Sequence, residues 1–128
     1  MLARSDRDVW VTGSTSTGST SHALALERLS GGRWVAHNPS GSQSIGGLVP
    51  DGARGIWATF EVGPFDGARL DHYSGGRWRA VTLPHLTGKA TSVTTLAEVP
   101  RSTTIFGAGF ELWGGLPETK AVVLKYSR

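Results

Sequence analysis

Along this chain apolar and polar residues alternate in short runs broken by Gly, Pro, Ser and Asn. Nowhere do apolar positions recur at the three- and four-residue spacing of an amphipathic helix. Short alternating runs rich in Val, Ile, Trp and Thr predict half-buried strands. Asp8-Val-Trp-Val-Thr-Gly13 is one such run. It returns as Gly55-Ile-Trp-Ala-Thr-Phe60 and as Thr104-Ile-Phe-Gly-Ala-Gly109, so that Val9, Ile56 and Ile105 align, as do Trp10, Trp57 and Phe106.

Two further runs recur. Leu26-Glu-Arg-Leu-Ser-Gly-Gly-Arg-Trp34 comes back as Leu70-Asp-His-Tyr-Ser-Gly-Gly-Arg-Trp78, with Ser30 to Trp34 identical to Ser74 to Trp78. Ser44-Ile-Gly-Gly-Leu-Val-Pro50 is echoed by Ser92-Val-Thr-Thr-Leu-Ala-Glu-Val-Pro100, and Val123-Leu-Lys-Tyr126 matches the start of the second run without its Ser-Gly-Gly-Arg-Trp continuation. A period of this size marks a repeat architecture. The order within one repeat is strand a (44–49), b (8–13 or its equivalents), c (24–29) and d (33–38). The c-to-d link, Ser-Gly-Gly, predicts a tight hairpin because glycine reaches positive φ without strain; Pro50-Asp-Gly and Pro100-Arg-Ser give turn chemistry to the a-to-b link.

Four antiparallel strands joined this way make one propeller blade. The predicted fold is therefore all-β, a single domain over 1–128, with repeats at about 1–43, 44–91 and 92–128 and roughly ten strands. Met1-Leu-Ala3 is the stub of a first strand a. The stretches Asp8 to Gly13, Glu27 to Trp34 and Val99 to Phe106 resemble the repeat units of bacterial, mostly actinobacterial, β-propeller proteins with a DVWAVG core and a HWDGTRW-like hairpin. The resemblance spans nearly the whole chain. It departs at Phe106, where the family has Trp, at Leu124, where Glu27 and Asp71 stand in the other copies, and in the shortened last repeat. It implies a propeller and an extracellular setting, and little about activity. The excess of Arg over Lys suits a GC-rich bacterial source.

Closed propellers have about four to eight blades, so some three blades leave open strand edges, which invite pairing with another chain. The expected partners are further blades of a longer chain or other copies of this one, two chains of three blades making six. A compact β-sandwich is the third architecture that fits.

Composition narrows the function. Thirteen basic residues against 10 acidic ones, scattered singly, give a net charge of +3 without the basic stripe of a nucleic-acid binder. No run approaches the about 18 apolar residues of a membrane helix, and Met1 to Asp8 has no apolar segment behind its basic residues, so neither a span nor a signal peptide is predicted. Cysteine is absent, which excludes disulfides and thiolate metal sites. No P-loop, dinucleotide fingerprint or nucleophile elbow occurs, and no cofactor is expected.

The b-to-c loops differ between copies where the scaffold repeats: Ser14 to Ser21 is a Ser/Thr/Gly run read as a solvated flexible turn, Glu61 to Asp66 is acidic and aromatic, and Phe110 to Lys120 is long and carries Trp113, which has no counterpart. Divergence on a shared scaffold marks a binding face. The expected ligand-binding residues are Trp113, Glu111, Phe65, Asp66, Glu61 and His22. Trp10, Trp34, Trp57 and Trp78 sit at fixed repeat positions and are assigned to the space between blades.

His22, His37, His72 and His85 fall at unrelated positions without metal-site spacing, so no metal site is expected. His72 stands where Arg28 and Lys125 stand in the other copies, a position read as solvent-facing. The function predicted from these features is a non-catalytic propeller module that binds a glycan, small molecule or partner through its variable loops. An enzyme acting on a glycan or small molecule in a central cavity, using Glu61, Asp66 or Glu111, is one alternative; a purely structural, self-assembling unit is the other.

Overall fold

The computed structural model describes residues 1–28, 32–41, 44–63, 67–83, 90–112 and 119–127 of the 128-residue chain. The strands are β1 (Leu2–Ser5), β2 (Asp8–Thr17), β3 (Thr20–Arg28), β4 (Trp34–Ala36), β5 (Ser44–Pro50), β6 (Ile56–Gly63), β7 (Gly67–Ser74), β8 (Arg77–Val81), β9 (Ala90–Glu98), β10 (Ile105–Leu112) and β11 (Thr119–Tyr126). They form three antiparallel sheets in the orders β1-β2-β3-β4, β5-β6-β7-β8 and β11-β10-β9. The described residues contain no helix. The all-β expectation holds, and the stub at Met1 to Ala3 is part of a full strand, β1, paired with β2 through Leu2 and Trp10.

The sheets stack in chain order, with the second between the other two: β5 lies against β1, β2 and β3 on one side and β9 on the other, while β9 also crosses β6 and β7. They do not close into a ring. Period-two alternation makes the middle sheet double-faced. From β6, Ile56 joins Trp10, Ala25 and Tyr73, and Ala58 and Phe60 meet Ala23 of the first sheet. Trp57, pointing the other way, packs with Leu70 and Ile105 of the third sheet's boundary. Every residue from Ile56 to Phe60 is buried in consequence. Truncating a buried tryptophan of this kind costs about 3–5 kcal/mol, more than any surface ion pair contributes.

Polar contacts fix how the sheets sit. Arg4 of β1 reaches the β5–β6 link, donating to the carbonyls of Ala53 (3.2 Å), Arg54 (3.0 Å) and Gly55 (3.1 Å), and is itself held by Asp8 (2.7 Å). Within that link Asp51 Oδ1 accepts from the N–H groups of Ala53 (2.8 Å) and Gly55 (2.9 Å), and Oδ2 bonds His72 Nε2 at 2.9 Å. A side chain at Gly55 would strike the Asp51 carboxylate and the Tyr73 carbonyl, so glycine is required there by close approach.

The repeated Ser-Gly-Gly-Arg-Trp sequence has two structural outcomes. In the second sheet Ser74 pairs with Arg77 across a two-residue turn, with Gly75 and Gly76 at φ 59° and 81°, the type I′ geometry predicted. In the first sheet Trp34 lies opposite Arg28, whereas Trp78 lies opposite Tyr73, the counterpart of Leu29, so the pairing is offset by one residue. Trp78, opposite Tyr73, is locked against Phe60 (centroids 5.0 Å apart) and donates to the His37 carbonyl at 2.6 Å. Trp34, by contrast, lies on the outer face of the first sheet and is 47% exposed.

The reading of His72 as solvent-facing is corrected. It is 2% exposed, stacked on Trp57 at 4.3 Å, because the middle sheet is covered on both faces; Lys125, at the same repeat position in the third sheet, is exposed. The Ser14 to Ser21 run is also not a loose turn: β2 and β3 stay paired as far as Thr17 and Thr20, with Gly18 and Ser19 at the tip of a projecting hairpin.

Replacing Arg4 by Ala should lower stability by about 1–2 kcal/mol, given its partial exposure and three carbonyl partners, with an unchanged urea m-value. Burial pushes the Asp51 carboxyl up, but its hydrogen bonds from His72, Ala53 and Gly55 and the charge on His72 outweigh this and hold it below the ordinary value. Its depressed folded-state value contributes stability above the unfolded pKa of about 3.9 that is lost as pH falls through the lower folded value. Urea titrations between pH 7 and pH 2 should show this acid-side loss in the native chain and its reduction in Asp51→Asn.

Candidate functional site

The β7–β8 hairpin carries a cleft on each side. The first, about 460 Å³, lies where the first sheet meets the second and is lined by Ala36, His37, Asn38, Pro39 and Ser40 from one and Tyr73, Gly76, Arg77 and Trp78 from the other. The second, about 410 Å³, opens on the opposite face of the hairpin and is lined by His72, Ser74, Gly75, Arg77 and Arg79. Arg77 borders both. These volumes are in the range of small-ligand sites.

Local sequence explains the geometry. The main chain leaves β4 at Ala36, yet His37 N–H still donates to the Ala25 carbonyl at 2.8 Å, and the Asn38 side chain accepts from Ala25 N–H at 3.1 Å, extending the strand edge with a side-chain oxygen. That brings the His37 ring between Trp10 (5.3 Å) and Tyr73 (5.0 Å), with Trp78 5.1 Å from Tyr73. In β8 alternation puts Trp78 toward the first sheet and Arg77 and Arg79 on the other face, where Arg79 pairs with His72 and Arg77 with Ser74.

Each cleft has a histidine in its wall with a carboxylate behind it. His37 Nε2 is 2.8 Å from Glu27 Oε2, an ion-pair approach off the hydrogen-bonding direction, and Nδ1 meets the Tyr73 hydroxyl at 2.8 Å. Burial, then the negative charge of Glu27, pushes the Tyr73 phenol above its ordinary value. The Tyr73 hydroxyl and Nδ1 share a hydrogen bond, and Nε2 faces the Glu27 carboxylate without making one. Nδ1 of His37 is thus engaged within the protein, and Nε2 is buried beside Glu27. His72 uses Nε2 for Asp51 and has further interactions of its own. Neither histidine is arranged as a general base toward the solvent. Nor do the described residues include three His, Cys, Asp or Glu side chains grouped to hold a metal ion.

The residues singled out from the sequence are distributed differently. Trp113, Phe65 and Asp66 lie outside the described residues, as does His85. Glu61 is exposed near the end of β6 and accepts from Ser44 Oγ at 2.5 Å. His22 is exposed on β3. Glu111, expected on a variable loop, is instead 3% exposed inside β10, where alternation from Ile105 through Gly107 and Gly109 turns it toward the second sheet. Among the described residues, Glu61, His22 and Glu111 do not line either cleft. Of the residues that do line them, Trp78 was assigned to the space between blades and His72 to a solvent-facing position, while the pair Arg77 and Arg79, alternating with Trp78 in one strand, was not singled out.

These observations define an all-β protein of three packed antiparallel sheets with an aromatic and a basic cleft on one hairpin. Comparison with protein-family models, curated proteins and solved structures finds no match to this chain.

The chain has 2 tyrosines. In Tyr126→Phe the phenolate absorbance reports Tyr73 alone, and it should titrate above the ordinary value of about 10. Since the folded-state value is raised, the associated stability is present below about pH 10 and is lost as pH rises through the folded value. Glu27→Gln in the same background should move the titration downward.

Proposed function

We propose that this chain is a non-catalytic, propeller-type module, its three sheets serving as successive blades, and that it binds an acidic small molecule or glycan at the β7–β8 hairpin. One observation carries the reading: the exposed Arg77 and Arg79 project on the face where His72, Ser74 and Gly75 form a cleft, and Arg77 also borders the aromatic cleft of Tyr73 and Trp78. Guanidinium groups pair with carboxylate, sulfate or phosphate oxygens through two parallel N–H donors, and an aromatic wall takes the apolar face of a sugar or similar ring. The lining residues named for the two clefts include no carboxylate to repel such a ligand.

Binding is favoured over catalysis by the state of the titratable groups. His37 Nδ1 is bonded to Tyr73 with Nε2 buried beside Glu27, the Tyr73 phenol is pushed above its ordinary value, and Asp51 is spent on His72 and two backbone N–H groups. These arrangements make rigid walls. The repeat of strand order in the first two sheets, with the same b-strand pattern in the third, supports the propeller-type reading.

The test is calorimetric titration with a galacturonic-acid oligosaccharide and with a neutral galactose oligosaccharide of equal length. Binding of the acidic sugar alone is expected, weakening with added salt and falling by about tenfold or more in Arg77→Ala and in Arg79→Ala, as loss of a charge-assisted hydrogen bond implies. Equal binding of both sugars, or affinity indifferent to both arginines, overturns it.

A further inference from the structure

The two internal boundaries of the stack obey one rule. At the first, Trp10, the second aligned position of its b strand, packs in a cluster with Ile56, the first aligned position of the next b strand. At the second, Trp57 packs in the same way with Ile105. Each sheet thus offers an aromatic forward and receives one on an aliphatic behind. The two outer faces hold the unmatched halves of this contact. Phe106, next in line after Trp10 and Trp57, faces away from the second sheet because Ile105 faces toward it, and is 40% exposed; Val123 on the same face is 71% exposed. At the other end Val9, the counterpart of Ile56 and Ile105, faces away from the second sheet because Trp10 faces toward it. Trp34 shares that face through the register Val9 to Arg28 to Trp34.

We infer that the third sheet of one molecule docks on the first sheet of a second copy, head to tail, with Phe106 of one against Val9 and Trp34 of the other. The occupant is a second copy because the missing partner on each face is the surface found on the opposite face of the same chain, and the docking continues an interface that the molecule already makes twice. The polarity follows from the same rule. Forward and backward faces differ, so the contact is heterologous and propagates around a ring or along a stack. The inference rests on the repeat of sheets and not on the ligand reading, since neither arginine takes part.

The experiment is light scattering after size exclusion on the native chain, on Phe106→Glu and on Trp34→Glu, with circular dichroism to confirm that both variants keep their strands; both positions are exposed, and a charge there is compatible with the fold. The native chain is expected at a mass of two or more chains of 13.6 kDa. Each variant alone should be reduced to one chain, since every contact needs both faces intact. The two variants mixed should form a 1:1 pair and nothing larger, because one keeps an intact third-sheet face and the other an intact first-sheet face. A native chain that is monomeric at all concentrations, an assembly that survives either substitution, or a mixture that fails to pair overturns the inference. Binding of the acidic sugar by the single variants is unaffected on this view, so the two readings fail separately.

Discussion

The structure depends on the middle sheet being buried on both faces. In most antiparallel sheets one face meets solvent and the sequence alternates apolar with polar. Here β6 must satisfy two neighbours at once, and it does so with Ile56, Ala58 and Phe60 on one side and Trp57 on the other. The adjoining strand β7 follows suit, sending Tyr73 to the first sheet and Leu70 to the third. Without both neighbours this sheet would expose two apolar faces, so its burial depends on the other two.

Burial on both sides also brings polar groups inside, and these must be paired. Asp51 and His72 are one answer at the second boundary; Glu27, His37 and Tyr73 are the other at the first. Each pairing couples a strand residue to a link residue, so register and sheet position are set together. Arg4 extends this by tying the first sheet to the link that Asp51 organises. The clefts beside the β7–β8 hairpin are a by-product of this packing. They form where the neighbouring sheets do not fully cover β8, leaving Trp78 partly and Arg77 and Arg79 largely open.

Much of the fold was legible from the chain alone because strand repeats leave two independent signatures, alternation and self-similarity. Gly75 and Gly76 announced their turn, and Trp10 and Trp57 announced their burial. The candidate site was less legible. Loop divergence pointed to Trp113, Phe65 and Asp66, which lie outside the described residues, and to Glu111, Glu61 and His22, whereas the two clefts lie at the β7–β8 hairpin. Repeated residues look structural in a sequence, and their environment changes only with what covers them.

The sequence by itself determined that the chain is all-β, that its strands come in repeating sets, and which strand positions carry the large aromatics. Those are consequences of local backbone preference and of side-chain alternation, which act over a few residues. Only the tertiary structure decided which face of each strand is covered. The same Ser-Gly-Gly-Arg-Trp stretch holds a buried-side tryptophan in Trp78 and an exposed one in Trp34; the same strand position holds a sequestered His72 and an open Lys125. Those differences arise because burial is set by a neighbouring sheet that is distant in sequence, and no local pattern records whether that neighbour is present.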